Sequence, residues 1–323
     1  MRLARYVHNG VETSGVVAGD VVRPLAPLFG IMELLAQDRL ADAASHVLDR
    51  PVPLADVRLL PPVTPPSMRD FVTFEEHVEG IARQFGDEIV PQWHEAPTFY
   101  FTNPHALIGA NDDVPVPPGC RLLDYELEVA AVIGRAGRDL SPQQAREHIA
   151  GYTIFNDWSA RDLQARELPV RLGPAKGKDT ASTLGPFLVT ADELEPWRTT
   201  EGFLDLAMTV EVNGVPTGRD NLANMAWTFE EMTAYATRGT WVRPGDVLGS
   251  GTCGSGCLAE LWGRGQTMAP LQVGDVVTMT VAGLGTISNR VVAGVDPVPI
   301  PPARSHPVRH LDSQQGQALR EHT

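Results

Sequence analysis

Cysteine is scarce in this 323-residue chain: there are three, too few for a disulfide framework. That usage fits a reducing compartment, and the cytoplasm is the expected location. Basic residues are also in short supply, 26 Lys and Arg against 40 Asp and Glu, so the formal charge is −14 and the pI near 5.0. An acidic protein of this kind is not expected to bind nucleic acid or an anionic membrane. An anionic small molecule would need cations placed locally, which directs attention to Arg161, Lys176 and Lys178. Long apolar runs are missing as well. No stretch approaches the roughly 20 residues that cross a bilayer, and the opening MRLARYVHNG has no signal-peptide core. What remains has the composition of a globular protein, long enough for one large β-rich domain and a smaller N-terminal one.

The most informative stretch runs from Leu122 to Gln164. Asp124, Glu126 and Glu128 alternate with Tyr125, Leu127 and Val129, and the apolar run Val129–Ile133 follows. Period two reads as a strand, which places the three carboxylates on one face, successive side chains roughly 6.5–7 Å apart. Like charges so spaced repel unless something positive sits among them. Asp157, between the apolar-aromatic run Tyr152–Phe155 and Trp158, needs a partner or a cation in such surroundings. All-oxygen ligands suit Mg²⁺, Ca²⁺ or Mn²⁺, so the stretch reads as a divalent-metal site, a solvated acidic sheet face being the alternative. Asp157, Arg161, Gln164 and Leu168 then follow helical spacing and are expected to stack along one face of a helix beginning near Asp157.

Around this centre the chain divides by its turn and breaker residues. Residues 1–62 read as a small accessory domain, a strand meander turning at Asn9-Gly10 and at Ala18-Gly19-Asp20. Gly30–Asp49 has helical spacing that changes phase between Leu35 and Leu40, predicting two short helices. Val57–Leu60 is a brief strand, and PPVTPP at 61–66 marks a boundary. A second unit is expected over 63–293. In it a helix starts near Glu75 or Glu76, Glu95–Asn103 is extended, and Ser141 caps a helix running to Ala150. Thr209–Gly218 forms a hairpin and Phe229–Gly239 a helix. Two echoing units, RPGDVLGSGT (243–252) and QVGDVVTMTVAGLGT (272–286), read as neighbouring strands of one roll. GTCGSGCLAELW (251–262) contains a C-x₃-C, yet zinc would need two further ligands. Its glycines are read instead as letting backbone approach a ligand. Residues 294–323, rich in Pro, Gln and His without periodicity, are expected to be a disordered tail.

Four motifs in order, DYELEVAAVIG, NDWSARDLQ, GKD and GTCGSGCLAELW, resemble the fumarylacetoacetate hydrolase family over roughly Met68–Val292. The resemblance implies an α+β, strand-dominated mixed β-roll, commonly a homodimer, acting on a small anionic dioxo acid. It implies a divalent metal, Mg²⁺ first with Mn²⁺ or Ca²⁺ as alternatives, on Glu126, Glu128, Asp157 and Asp70. It implies His77 as the base that activates water, seven residues after Asp70, oriented by Glu260. Glu260 itself reads as part of a glycine-flanked strand. Lys178 is implied near the metal, with Lys176 its neighbour, and Tyr100, Arg161, Gln164 and Thr252 as substrate contacts. The implied reaction is hydrolysis of a carbon–carbon bond in a 1,3-dioxo acid such as an acylpyruvate or fumarylacetoacetate, through an enolate of the substrate. Decarboxylation, isomerisation or hydration of a 2-oxo acid is the alternative on the same residues. A ligand-binding protein without turnover would require loss of the charged set, and every expected position is occupied.

Overall fold

The computed structural model describes residues 1–305 of the chain. Its frame is a 12-stranded, largely antiparallel sheet. Along it lie the strands Val11–Ala18, Arg2–His8, Ser182–Thr190, Ile149–Asp157, Leu127–Ile133, Val247–Gly249, Met68–Phe71 and Phe99–Thr102, in that order. Met68–Phe71 runs parallel to Val247–Gly249, which makes the sheet mixed. A second, five-stranded sheet is built on the hairpins Ala207–Val212 with Val215–Asn221 and Val276–Val281 with Gly285–Val292. The protein is thus a strand-dominated α+β fold.

Leu127–Ile133 explains why its sequence is almost unbroken hydrophobic. Val129, Ala131 and Ile133 pack toward the five-stranded sheet, in one core with Met208, Val210, Val277, Met279 and Ile287. Ala130 and Val132 face the other way, onto Leu3, Ile31, Leu34 and Leu35 of the N-terminal region. A strand covered on both faces has no polar side to alternate with. The N-terminal strands are not a separate layer of sheet. Arg2–His8 pairs directly with Ser182–Thr190, in the register Arg2↔Val189 and Leu3↔Leu188.

Both turns of the N-terminal meander lie as expected, with Asn9 and Gly10 at positive φ between the first two strands. The phase change after Leu35 separates the helix Ile31–Ala36 from a 3₁₀ segment at Leu40–His46. Three expectations need correction. The helix capped by Ser141 is shorter than Ser141–Ala150: Pro142–Ala145 continues as one 3₁₀ turn, and Ile149 already starts a strand. The echoing units 243–252 and 272–286 are not neighbours, since Val247–Gly249 belongs to the large sheet and Val276–Val281 to the small one. Glu260 lies on a helix, Leu258–Gly263, rather than in a strand. Residues 294–305 form no helix or strand, and the rest of the expected tail lies outside the described residues. Among the described residues no helix is long and apolar enough to cross a membrane.

Candidate active site

The site forms where neighbouring strands of the large sheet deliver acidic side chains to one place. Asp70 stands in register with Tyr100 on one side and with Gly249 on the other. A Cβ at Gly249 would stand 2.5 Å from Asp70 Oδ1, so the missing side chain there gives the carboxylate its room. Glu128 pairs with Phe155, and Asp157 closes the adjacent strand, its N–H donating to the Glu126 carbonyl at 3.3 Å. Carboxylate oxygens of Asp70, Glu126 and Glu128 lie within 4.8 Å of one another, all three residues buried. Asp157 joins them through shared partners: the Tyr100 hydroxyl lies within hydrogen-bond contact of both Asp70 Oδ2 (2.8 Å) and Asp157 Oδ2. Lys178 Nζ lies between Asp157 Oδ2 (2.8 Å) and Glu126 Oε2.

Asp157 ends a strand, so it does not begin a helix as its spacing to Arg161 suggests. The helix is Arg161–Glu167, and Arg161 turns to other acids. Its Nε donates to Asp124 Oδ2 at 2.8 Å, its NH2 to Glu126 Oε1 at 2.7 Å and its NH1 to Gln164 Oε1 at 3.2 Å. The positive charge required among the acidic triplet is this guanidinium together with the Lys178 ammonium at Glu126. The triplet is not one uniform face either, because the strand breaks at Tyr125–Glu126. Glu126 and Glu128 line the cavity, whereas Asp124 accepts from the N–H groups of Leu258 (2.8 Å) and Ala259 (3.0 Å).

Glu260 rides on the helix whose first N–H groups Asp124 holds. Its Oε2 is 3.2 Å from His77 Nδ1, across 183 positions of sequence. His77 is the third residue of the helix Glu75–Phe85. The second oxygen of Glu260 accepts from the Ser255 N–H (2.7 Å) and from Arg264 (2.5 Å), so its orientation is fixed from behind. Thr252 Oγ1 stands 3.5 Å from Glu128 Oε1, and the Gly251 N–H donates to Glu128 Oε2 at 3.0 Å. The eleven expected site residues meet around one cavity of about 360 Å³, with Asp157 and Glu260 immediately behind its wall and the other nine lining it. Lys176 stays outside, paired with Asp179. Two contributors escaped the sequence reading in these roles, Asp124 as a helix anchor and Arg264 as the support of Glu260. Arg264 had a signal, its i,i+4 spacing from Glu260; nothing local announces what Asp124 holds.

The electrostatics test whether a cation belongs here. Four buried carboxylates (Asp70, Glu126, Glu128 and Asp157) face two cations, Lys178 and Arg161, the latter shared with Asp124. Burial, then repulsion from Asp157, pushes the Asp70 carboxyl up to about 7. Burial and Asp70 together hold Glu128 well above the usual carboxylate range. Burial also opposes ionisation of Glu126, but Lys178 and Arg161 outweigh it and keep that carboxyl low. One oxygen each of Asp70 and Asp157 is buried with no hydrogen-bond partner. Uncompensated acceptors and surplus negative charge in a buried oxygen cluster fit a hard divalent cation. Asp70, Glu126, Glu128 and Asp157 are the residues that would hold it.

Comparison with known proteins identifies the family. A family model described as "Fumarylacetoacetate (FAA) hydrolase C-terminal" matches residues 67–292, and one described as "Rv2993c-like, N-terminal" matches residues 1–62. The fumarylacetoacetase of Arabidopsis thaliana is 30% identical over 304 residues, covering 74% of this chain and 72% of the relative. The mitochondrial oxaloacetate tautomerase fahd2 of Xenopus laevis is 30% identical over 257 residues, 78% of this chain and 72% of that one. A crystal structure described as 5-carboxymethyl-2-hydroxymuconate delta-isomerase from Mycobacterium smegmatis superposes with a TM-score of 0.69 at 29% identity, covering 91% of this chain and all of that one. The chain therefore belongs to the fumarylacetoacetate hydrolase family of enzymes.

Proposed function

We propose that this enzyme hydrolyses a carbon–carbon bond in a 1,3-dioxo acid, with His77 as general base. The observation that carries the reading is the buried His77–Glu260 contact at the cavity that holds the carboxylates. A carboxylate at Nδ1 fixes the tautomer and leaves Nε2 to take a proton. Nε2 takes that proton from water, and the water oxygen bonds to the acyl carbonyl carbon. The bond from that carbon to the neighbouring methylene then breaks, and its electron pair passes onto the methylene carbon and the adjacent 2-oxo group as an enolate. The imidazolium returns its proton to that carbon. The products are a carboxylic acid and a 2-oxo acid, and atoms and charge balance. Burial disfavours the charge on Lys178, but Asp157 and Glu126 outweigh burial and keep it an ammonium. Lys178 and Arg161 thus supply fixed positive charge for the enolate, and Gln164, Tyr100 and Thr252 supply neutral hydrogen-bonding groups. A divalent cation bound by the four carboxylates, Mg²⁺ or Mn²⁺ for preference, would add Lewis-acid stabilisation of negative oxygen. The working unit is proposed to be a homodimer, as the family resemblance implies.

A panel of acylpyruvates and related dioxo acids, assayed with Mg²⁺ or Mn²⁺ in ¹⁸O-water, tests the reaction class. Hydrolysis gives equal amounts of acid and 2-oxo acid, with the label in the new carboxylate. A second reading, tautomerisation or isomerisation of an oxo acid, is favoured by the tautomerase and isomerase among the similar proteins. It predicts a product of unchanged mass and no label at carbon, and that result would overturn the hydrolase.

A further inference from the structure

The cavity is divided sharply by polarity. Its charged groups lie at the closed end: Asp70, His77, Glu126, Glu128 and Lys178 are each less than 8% exposed. Its accessible wall is largely apolar, formed by Val72, Ile81, Leu122, Leu168, Pro174 and Trp262 beside Arg161, Asp162 and Gln164, with Leu168 45% and Leu122 39% exposed. The positive charges lining the cavity are Arg161 and Lys178, and both are already committed to buried carboxylates. The apolar wall also adjoins a negative charge: Asp162 lines the cavity and accepts from the Arg121 and Leu163 N–H groups. A carboxylate at the far end of a substrate would therefore be desolvated against hydrocarbon beside an acid, with no described side chain of the cavity to neutralise it.

We infer that the enzyme selects oxo acids whose distal end is uncharged and apolar, an alkyl or aryl acyl group, and discriminates against those carrying a second carboxylate. The inference rests on the proposed oxo-acid site and decides between the two substrate types considered for it. The 2-oxo carboxylate occupies the closed end, beside Lys178, Arg161 and the divalent cation that the four carboxylates would hold, and the acyl tail lies along Ile81, Leu122, Leu168 and Trp262. Each methylene buried there strengthens binding by about fourfold. Leu168, on the exposed rim just beyond the helix Arg161–Glu167, is the selective residue with most freedom to change.

Binding of unreactive 2-oxo acids to the Mn²⁺-loaded protein, by calorimetry, tests this without turnover. Pyruvate probes the closed end; 2-oxohexanoate and 2-oxoadipate share a chain length and differ in the distal carboxylate. 2-Oxohexanoate should bind at least about tenfold tighter than 2-oxoadipate. Leu168→Lys, at an exposed position that does not threaten folding, should narrow or reverse the ratio and leave pyruvate affinity unchanged. If pyruvate binds but the two longer acids bind equally, or Leu168→Lys leaves their ratio as it was, the inference falls while the oxo-acid site stands. If pyruvate itself does not bind, the oxo-acid site falls and takes the inference with it.

Discussion

A hydrogen bond to one nitrogen of an imidazole decides what the other can do. With the buried carboxylate of Glu260 at Nδ1, the His77 ring is held in one orientation with Nε2 left free of that contact. His77→Ala should lower turnover by about 10²–10⁴, the usual value of a general base, with cation affinity retained. Glu260→Gln should lower it too, and the double variant should cost little more than His77→Ala alone, because the two act as a unit. Wild-type turnover in His77→Ala would hand the reaction to the tautomerase reading. The carboxylates carry a separate prediction. Glu126→Ala or Asp157→Ala should abolish Mn²⁺ binding in calorimetry, and chelator should abolish activity that Mg²⁺ or Mn²⁺ restores only to the wild type. Full activity in excess EDTA after dialysis would sink the metal assignment.

Two helices must touch for that histidine and that glutamate to meet, and Gly80 is where they do. A Cβ on Gly80 would collide with Glu260 Cγ and lie 3.2 Å from its Cδ, and Glu260 is fully buried with nowhere to retreat. Gly80→Ala would favour an isolated helix by about 1 kcal/mol. Here it should do the opposite, lowering both the melting temperature and turnover, with a kinetic defect resembling that of Glu260→Gln. A variant more stable than wild type and fully active would show that the helices repack freely. The same scale shows what the sequence could and could not reveal. Glu126, Glu128 and the strand after them were legible because alternation and an apolar run are local patterns. For Asp157, i,i+4 spacing is equally consistent with a helix and with a strand end followed by a helix start, and only the pairing of Ile149–Asp157 with Leu127–Ile133 decides between them. Glu260 reads as strand in the sequence because the six residues of Leu258–Gly263, beside a glycine-rich loop, give too short a helical period to register. The two Gly-Asp-Val echoes share turn chemistry, and turn chemistry does not encode which sheet a strand joins.

At the scale of the molecule, the N-terminal 60 residues carry none of the proposed catalytic groups, and a cap of that kind would be expendable. The pairing of strands says otherwise. Arg2–His8 is an interior strand of the large sheet, between Val11–Ala18 and Ser182–Thr190. Leu3, Ile31, Leu34 and Leu35, none more than 1% exposed, cover Ala130, Val132, Leu184 and Leu188, which lie on the back of the strands that carry the site. Removing residues 1–60 would uncover that face and leave the Leu188–Val189 end of Ser182–Thr190 as an open edge, a template for intermolecular pairing. Full burial of one Leu or Ile is worth about 1.5–3 kcal/mol, and a domain has only about 5–15 kcal/mol of net stability. The truncated chain should therefore be insoluble or unfolded, rather than a folded enzyme with altered kinetics. Since a failed truncation is a blunt result, Leu34→Ala gives the graded version. It should cost about 2–5 kcal/mol by thermal or denaturant unfolding, yet leave turnover per folded molecule unchanged, because Leu34 touches the sheet's back and not its site. A soluble truncation with wild-type melting temperature and turnover would return the N-terminal region to the status of a detachable cap. A Leu34→Ala variant of wild-type stability would do the same for the contact on which the argument depends.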